Sequence, residues 1–587
     1  MFFKLRKKVW FKNLVIMSVW VFIFAQLSMG VHGSTSDAHS RETGTSINHE
    51  NDIEATVKAS DDARTVITFD IKNFSIEPVM IDQESYYKIK CEDTRLMDEA
   101  GFPELPRLCS NIIIPNDSDV QLNIVEAVYT DYTLTPIVPS KGTITRDVNP
   151  ETVPYEFNDI YNSTEWYPQN LAQLSEPFIM RDVRGATVYV HAFQYQPSTQ
   201  TLRVYDTVTV EVVKTHSASK NVLNATKSQV NKEFDSMYDY LFLNYQSMPT
   251  KAPGNEKMLV ITNDAYRTAM EPFVNWKNQK GIDTEMVNIS QVSSRNSSTE
   301  IKNYIKNYYN QNNDLVYVLL VGDYAHISSP SYGYGVSDPE YTKIVGNDNY
   351  PDIFVGRFSA ESVADVETQV ERTLDFEKNG YNKMSWFKKG IGIASNEGPG
   401  HNNEYDYQHI DNIRSKLLGA GYTAIDRVYD PGARASTVTN GLNAGRGIIN
   451  YCGHGSTTSF STTGFNVYDI RNLDNDNMLP FIISVACVNG KFFDRTCFAE
   501  VWLRSTDNQG EPIGAIGTYM STVNQPWVPP MTGQDAINDL IVNKTIGTFG
   551  GLCYLGGSKM LDNGGYSDIL TFNTWTVFGD PSIQLFD

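Results

Sequence analysis

Two stretches decide how this chain folds: Gly447-Ile448-Ile449-Asn450-Tyr451-Cys452-Gly453-His454-Gly455 and Leu479-Pro480-Phe481-Ile482-Ile483-Ser484-Val485-Ala486-Cys487. Each is a short hydrophobic run that stops abruptly at a residue capable of chemistry. Runs of this length, β-branched and closed by Gly or Asn, predict buried strands of a parallel sheet. In open α/β sheets the reactive crevice lies at the carboxyl ends of the strands, so His454 and Cys487 are expected side by side.

Taken singly, a cysteine at a strand end is a small core residue, and a histidine in a Gly-rich turn is a structural one. Together they supply what a thiol nucleophile needs, because a nearby imidazole lowers the thiol pKa or takes its proton. Gly455 lets the backbone approach a substrate closely. Its N–H and that of Cys487 are therefore candidates for holding the oxyanion of an acyl-transfer intermediate.

The segments Asn450-Tyr451-Cys452-Gly453-His454-Gly455-Ser456 and Val485-Ala486-Cys487-Val488-Asn489-Gly490 closely resemble the histidine and cysteine motifs of the gingipains, secreted bacterial cysteine endopeptidases. Further blocks at 318–323, 344–348, 355–359, 524–527 and 575–582 look like that family's, in its order. The resemblance is continuous from about residue 257 onward and far more specific than a lone motif. It implies an α/β, caspase-like catalytic domain of two side-by-side subdomains with largely parallel sheets, preceded by a mostly β prodomain.

The same resemblance implies roles. Cys487 would be the nucleophile and His454 its partner. Glu397, in Ala394-Ser395-Asn396-Glu397-Gly398, matches the block that supplies a third catalytic residue, where a carboxylate orients the imidazole. Asp406 matches the base of the primary specificity pocket, where a carboxylate takes a guanidinium in bidentate fashion. Trp527, Met531 and Val485 match substrate-binding residues; an aromatic ring and a thioether suit the flat faces of a guanidinium. On residue type alone, Glu397 reads equally as a solvated loop acid and Asp406 as a first-turn acid complementing a helix dipole. The gap between Glu397 and the next matching block is shorter here than in the family.

At 587 residues the chain exceeds one core, and about 150 residues per domain suggests roughly four units. Residues 257–385 and 386–587 alternate strand and helix patterns. Within them, 258–262 and 315–321 read as strands, and 267–280 reads as a helix stopped by Gly281. Residues 65–215 alternate in strand fashion between Pro, Gly and Asn, predicting a β domain. Within it, Gly101-Phe102-Pro103-Glu104-Leu105-Pro106 resembles the gingipain propeptide, which implies that the domain covers the active-site cleft as the enzyme's own inhibitor. Periodicity alone is equally met by an independent adhesive β domain.

Residues 216–256 read as a linker and activation region, and 34–64, polar and without hydrophobic periodicity, as a flexible tether. Residues 1–33 read as an export signal. Lys4, Arg6, Lys7, Lys8 and Lys12 precede an apolar core over 14–25 that is too short to span a bilayer. A secreted product without a stable membrane span is expected.

The net charge of −21 argues against a nucleic-acid partner. Of six cysteines, Cys91 and Cys109 are placed to pair. The chemistry requires no cofactor; the family resemblance implies structural calcium, although Asp474-Asn475-Asp476-Asn477 lacks the Gly and terminal Glu of a calcium loop. The expected function is a secreted zymogen of an endopeptidase acting on proteins and peptides after basic residues, arginine preferred. Lysine or mixed specificity, or a silent surface protein keeping the fold, are the alternatives. The chain ends directly after the block at 578–582, without the immunoglobulin-like and sorting domains that follow it in gingipains. No arginine occurs between Arg203 and Arg267, so self-cleavage after arginine at the usual junction is not expected.

Overall fold

The computed structural model describes residues 3–6, 52–133, 136–215, 220–224, 229–251 and 256–586. Most of the expected export signal and tether therefore lies outside the described residues, as do Lys227 and the stretch 252–255.

The N-terminal region is built from antiparallel strands. β1 (Ile53–Ser60), β2 (Arg64–Ile71), β4 (Val120–Thr133), β6 (Phe193–Gln196) and β7 (Thr201–Lys214) form one sheet; β3 (Pro106–Ile113) and β5 (Val183–Val190) pair in a second. Inward residues of both, among them Phe69, Leu108, Ile112, Val188 and Val204, share one core. β1 corrects the tether, because residues 53–60 form a strand within it, upstream of Thr65. The strand has little apolar alternation, being a half-buried edge held by its ladder to β2. Asp52 fixes its start: its backbone oxygen accepts from Lys72 and Asn73, and its carboxylate accepts from the Glu92 N–H.

The expected Cys91–Cys109 bridge is absent, both cysteines being free. Cys91 lies in the β core, whereas alternation along β3 turns Cys109 to the opposite face with Asn111, whose side chain donates to Asp562 far along the chain.

The expected linker contains a helix, α1 (Lys232–Leu241), capped by the Asn231 side chain. Phe234, Met237, Tyr238 and Leu241 follow i, i+3, i+4, i+7 spacing and are buried in the core of the C-terminal region. Phe234 stacks on Phe354 at 5.0 Å. Each such side chain contributes roughly 1.5–3 kcal/mol by leaving water.

That C-terminal region is organised by a single ten-stranded sheet. In chain order its strands are β8 (Lys257–Thr262), β9 (Asp283–Asn288), β10 (Leu315–Val321), β11 (Phe354–Phe358), β12 (Lys389–Ala394), β13 (Ala424–Tyr429), β14 (Ile448–Cys452), β15 (Phe481–Val485), β16 (Gly517–Ser521) and β17 (Trp575–Phe578). Their spatial order is β9-β8-β10-β11-β17-β16-β15-β14-β12-β13. All neighbours run parallel except β17 against β16. Every residue of β10, β14 and β15 is buried, as continuous hydrophobic runs covered on both faces must be. The two halves meet edge to edge at β17, whose ladder to β11 is a single pair, Arg357 and Phe578. α2 (Arg267–Lys280) ends at Gly281 with φ 98°, the left-handed stop its sequence predicts. Among the described residues, no helix is long and apolar enough to cross a membrane.

Candidate active site

β14 and β15 are adjacent and parallel, with Cys452 opposite Val485 and the Gly453 N–H donating to the Val485 oxygen at 3.1 Å. His454 and Cys487 each follow their strand by two residues, so both emerge at the carboxyl edge of the sheet. Gly455 shows how tightly the two turns meet. A Cβ there would lie 2.4 Å from the Cys487 oxygen and 2.9 Å from the Ala486 Cβ, so no side chain fits. Asn489, fully buried, ties the same turns together by donating to the oxygens of Ser456 (2.6 Å) and Ser459 (3.0 Å) while accepting from Ser484. Val488 sits at φ 50°, a left-handed backbone that strains a β-branched residue by about 1–3 kcal/mol beside the cysteine.

His454 Nε2 lies 3.0 Å from Glu397 Oε2, both side chains about one-third exposed, and its ring meets Trp527 edge-on at 6.4 Å. Glu397 is held by the loop after β12: its N–H donates to Ser395 Oγ, and its backbone oxygen accepts from Asp406 N–H at 3.0 Å. Cys487 is buried, and burial pushes its thiol up to about 11, against the opposing pull of the Gln525 N–H and the Arg146 guanidinium.

Asp406 opens the helix α3 (Asp406–Gly419) and is fully buried. Its occupant comes from the N-terminal region. Arg146, also fully buried, places Nη1 3.0 Å from both Asp406 oxygens, while Nη2 donates to Cys452 Sγ at 3.2 Å and reaches the Trp527 oxygen at 3.5 Å. The guanidinium carbon stacks 4.3 Å from the Trp527 ring. This differs from the expected fork, because one nitrogen spans the carboxylate. Ser395 Oγ (2.7 Å to Oδ2) and the Cys452 thiol (3.1 Å to Oδ1) already occupy the flanks of that group.

The backbone around Arg146 is tied to the 525–527 segment through one isolated antiparallel bridge and then turns away. Its N–H donates to the Gln525 oxygen (2.8 Å), the Trp527 N–H donates to the Ile144 oxygen (3.0 Å), and Thr145 bridges Pro526 antiparallel. Met531, on the helix α4 (Val528–Asn543), is fully buried against Gly400; Val485 is the cross-strand neighbour of Cys452. Nothing local in the chain marks Arg146, and Cys452, Ser395 and Asn489 are residue types ordinary in a core. Among the described residues no group of three or more His, Cys, Asp or Glu is arranged to hold a metal, so the calcium implied by resemblance finds no such ligand cluster.

An α/β sheet covered by a β region of the same chain, with family models matching both parts, makes this a cysteine endopeptidase with its propeptide. The chain belongs to peptidase family C25, whose model matches residues 251–586, and the C25 propeptide model matches 46–242. It is 38% identical over 498 residues to gingipain R2 of Porphyromonas gingivalis, covering 83% of this chain and 68% of that protein. Among solved structures it resembles the Arg-specific cysteine proteinase gingipain R at 39% identity and a TM-score of 0.55, covering 57% of this chain and 79% of that one. It likewise resembles the complex of gingipain pro- and mature domains from the same organism, at 39% identity and a TM-score of 0.54 over 56% and 79% of the two chains.

Proposed function

We propose that this chain is the secreted zymogen of an endopeptidase that cleaves proteins and peptides after arginine through Cys487 and His454. The observation that carries the reading is Arg146. It is a buried arginine whose backbone N–H is held by the Gln525 oxygen and whose guanidinium ends on Asp406. A side chain that fills the pocket from within the chain marks what the pocket recognises from without.

In the reaction the Cys487 sulfur attacks the scissile carbonyl carbon while His454 protonates the departing amine. The N–H groups of Gly455 and Cys487, on two turns whose close approach leaves no room for a side chain at 455, hold the oxyanion. Glu397 orients His454 and favours its charged form. Asp406, with Trp527 stacked over the guanidinium, selects arginine. With Arg146 in place the pocket is filled from within the chain, which accounts for latency. Export follows from the basic and apolar composition of residues 1–33.

The test is Cys487→Ala in the activated enzyme. Hydrolysis of arginyl peptides is expected to vanish with the fold intact, and activity persisting at a comparable rate would exclude the mechanism.

A further inference from the structure

The pocket contains a second thiol that the mechanism does not use. Cys452 is fully buried at the end of β14 and touches both members of the buried ion pair. Its thiol donates to Asp406 Oδ1 at 3.1 Å, and its sulfur accepts from Arg146 Nη2 at 3.2 Å. Both contacts hold together only for a protonated thiol, and burial pushes this one well up from its ordinary range.

The way the guanidinium sits makes this contact matter. Nη1 alone satisfies both carboxylate oxygens, so the Asp406 interaction amounts to one cationic nitrogen over one carboxylate. The ammonium of a lysine offers that same nitrogen. What lysine lacks is Nη2, whose partners are Cys452 Sγ and the Trp527 oxygen, the latter at a long 3.5 Å. Preference for arginine over lysine must therefore come from whatever meets Nη2 and from the Trp527 face.

We propose that Cys452 is a specificity-determining residue of this pocket. Its sulfur receives the second guanidinium nitrogen of an incoming arginine while its proton holds the Asp406 carboxylate in plane. The proposal rests on the reading of Asp406 as the pocket base.

The experiment compares activated wild type, Cys452→Val and Cys452→Ser on matched arginyl and lysyl peptides. Valine fills a similar volume with no donor or acceptor, leaving Nη2 short of a partner in a buried site. About a tenfold rise in KM for arginyl peptides is expected, with kcat within about twofold and lysyl peptides moving by less than about threefold. Serine restores both contacts and should keep the arginine-to-lysine ratio within about threefold of wild type. A valine variant that keeps the wild-type ratio, or a serine variant that loses as much as valine, overturns the proposal. A wild type without arginine preference overturns the Asp406 reading itself, and this proposal with it.

Should valine not fold, the wild-type thiol gives an independent answer. In full-length Arg146→Ala/Cys487→Ala, methyl methanethiosulfonate should add a methylthio group to Cys452: the sulfur forms a disulfide and methanesulfinate leaves. Agmatine, a free guanidinium ligand, should slow that labelling about tenfold or more. Labelling of Cys452 at an unchanged rate with agmatine present contradicts the assignment.

Discussion

Arg146 and Asp406 stand 260 residues apart in sequence, and their side chains meet at 3.0 Å with neither exposed to solvent. Removing one partner of a buried pair strands the other charge, at a cost of about 3–5 kcal/mol. Asp406→Asn should lower arginyl kcat/KM by about two orders of magnitude or more in the activated enzyme. The same change should loosen the zymogen, measured as faster proteolytic loss of the prodomain. Unchanged arginyl kinetics would place the specificity pocket elsewhere.

The Glu397 contact with His454 is about one-third exposed on both sides, so it contributes on the order of 1 kcal/mol. Glu397→Ala is expected to reduce kcat about tenfold while KM stays within about twofold, since the carboxylate acts on the imidazole and not on the substrate. Steady-state kinetics on one arginyl peptide suffices. A change confined to KM would assign Glu397 to substrate binding instead.

Glu233, on α1, turns its carboxylate in to accept from the buried Thr548 hydroxyl at 2.8 Å, and burial pushes its pKa up to about 7 from 4.5. A carboxyl with a raised folded-state pKa holds its proton more tightly when folded. Its stabilising contribution is therefore full below about 4.5 and is lost as pH rises through about 7. Glu233→Gln should raise the Tm of the zymogen by about 2–4 °C at pH 8 relative to wild type, with little difference near pH 4.5. Equal effects at both pH values would show that the carboxyl titrates normally.

Maturation is expected to leave an N-terminus that does not follow an arginine. The linker has no arginine between Arg203, in the paired strand β7, and Arg267, at the head of α2. Lys251 is bound at its backbone to Val230 and at its side chain to Asp314, while the Lys220 side chain is 76% exposed. N-terminal sequencing of active enzyme, and of Cys487→Ala treated with trace wild type, checks this. A start immediately after Arg203 or Arg267 refutes it.

What could be read from sequence was whatever repeats locally. The runs ending at Cys452 and Val485 are short, apolar and bounded by glycine or proline, and they form adjacent parallel strands, each followed two residues on by His454 or Cys487. The helix from Arg267 to Lys280 shows its stop at Gly281. Phe234, Met237, Tyr238 and Leu241 carried an equally legible helical stripe inside what reads by composition as linker. β1 was illegible because an edge strand such as Glu54-Ala55-Thr56-Val57-Lys58 is held by backbone pairing and needs little apolar alternation. Arg146 was illegible for a different reason: it lies outside any helix or strand, and its meaning comes wholly from a carboxylate and an indole supplied by distant segments.

The central claim is that Cys487 attacks at a pocket for arginine which Arg146 plugs. An arginyl chloromethyl ketone tests all three parts at once, with mass spectrometry locating and timing the adduct on full-length wild type and full-length Arg146→Ala. The account predicts slow or no labelling of the wild-type zymogen, and in Arg146→Ala rapid labelling confined to Cys487. Equal rates in the two proteins, or no adduct on Cys487 in Arg146→Ala, would contradict it.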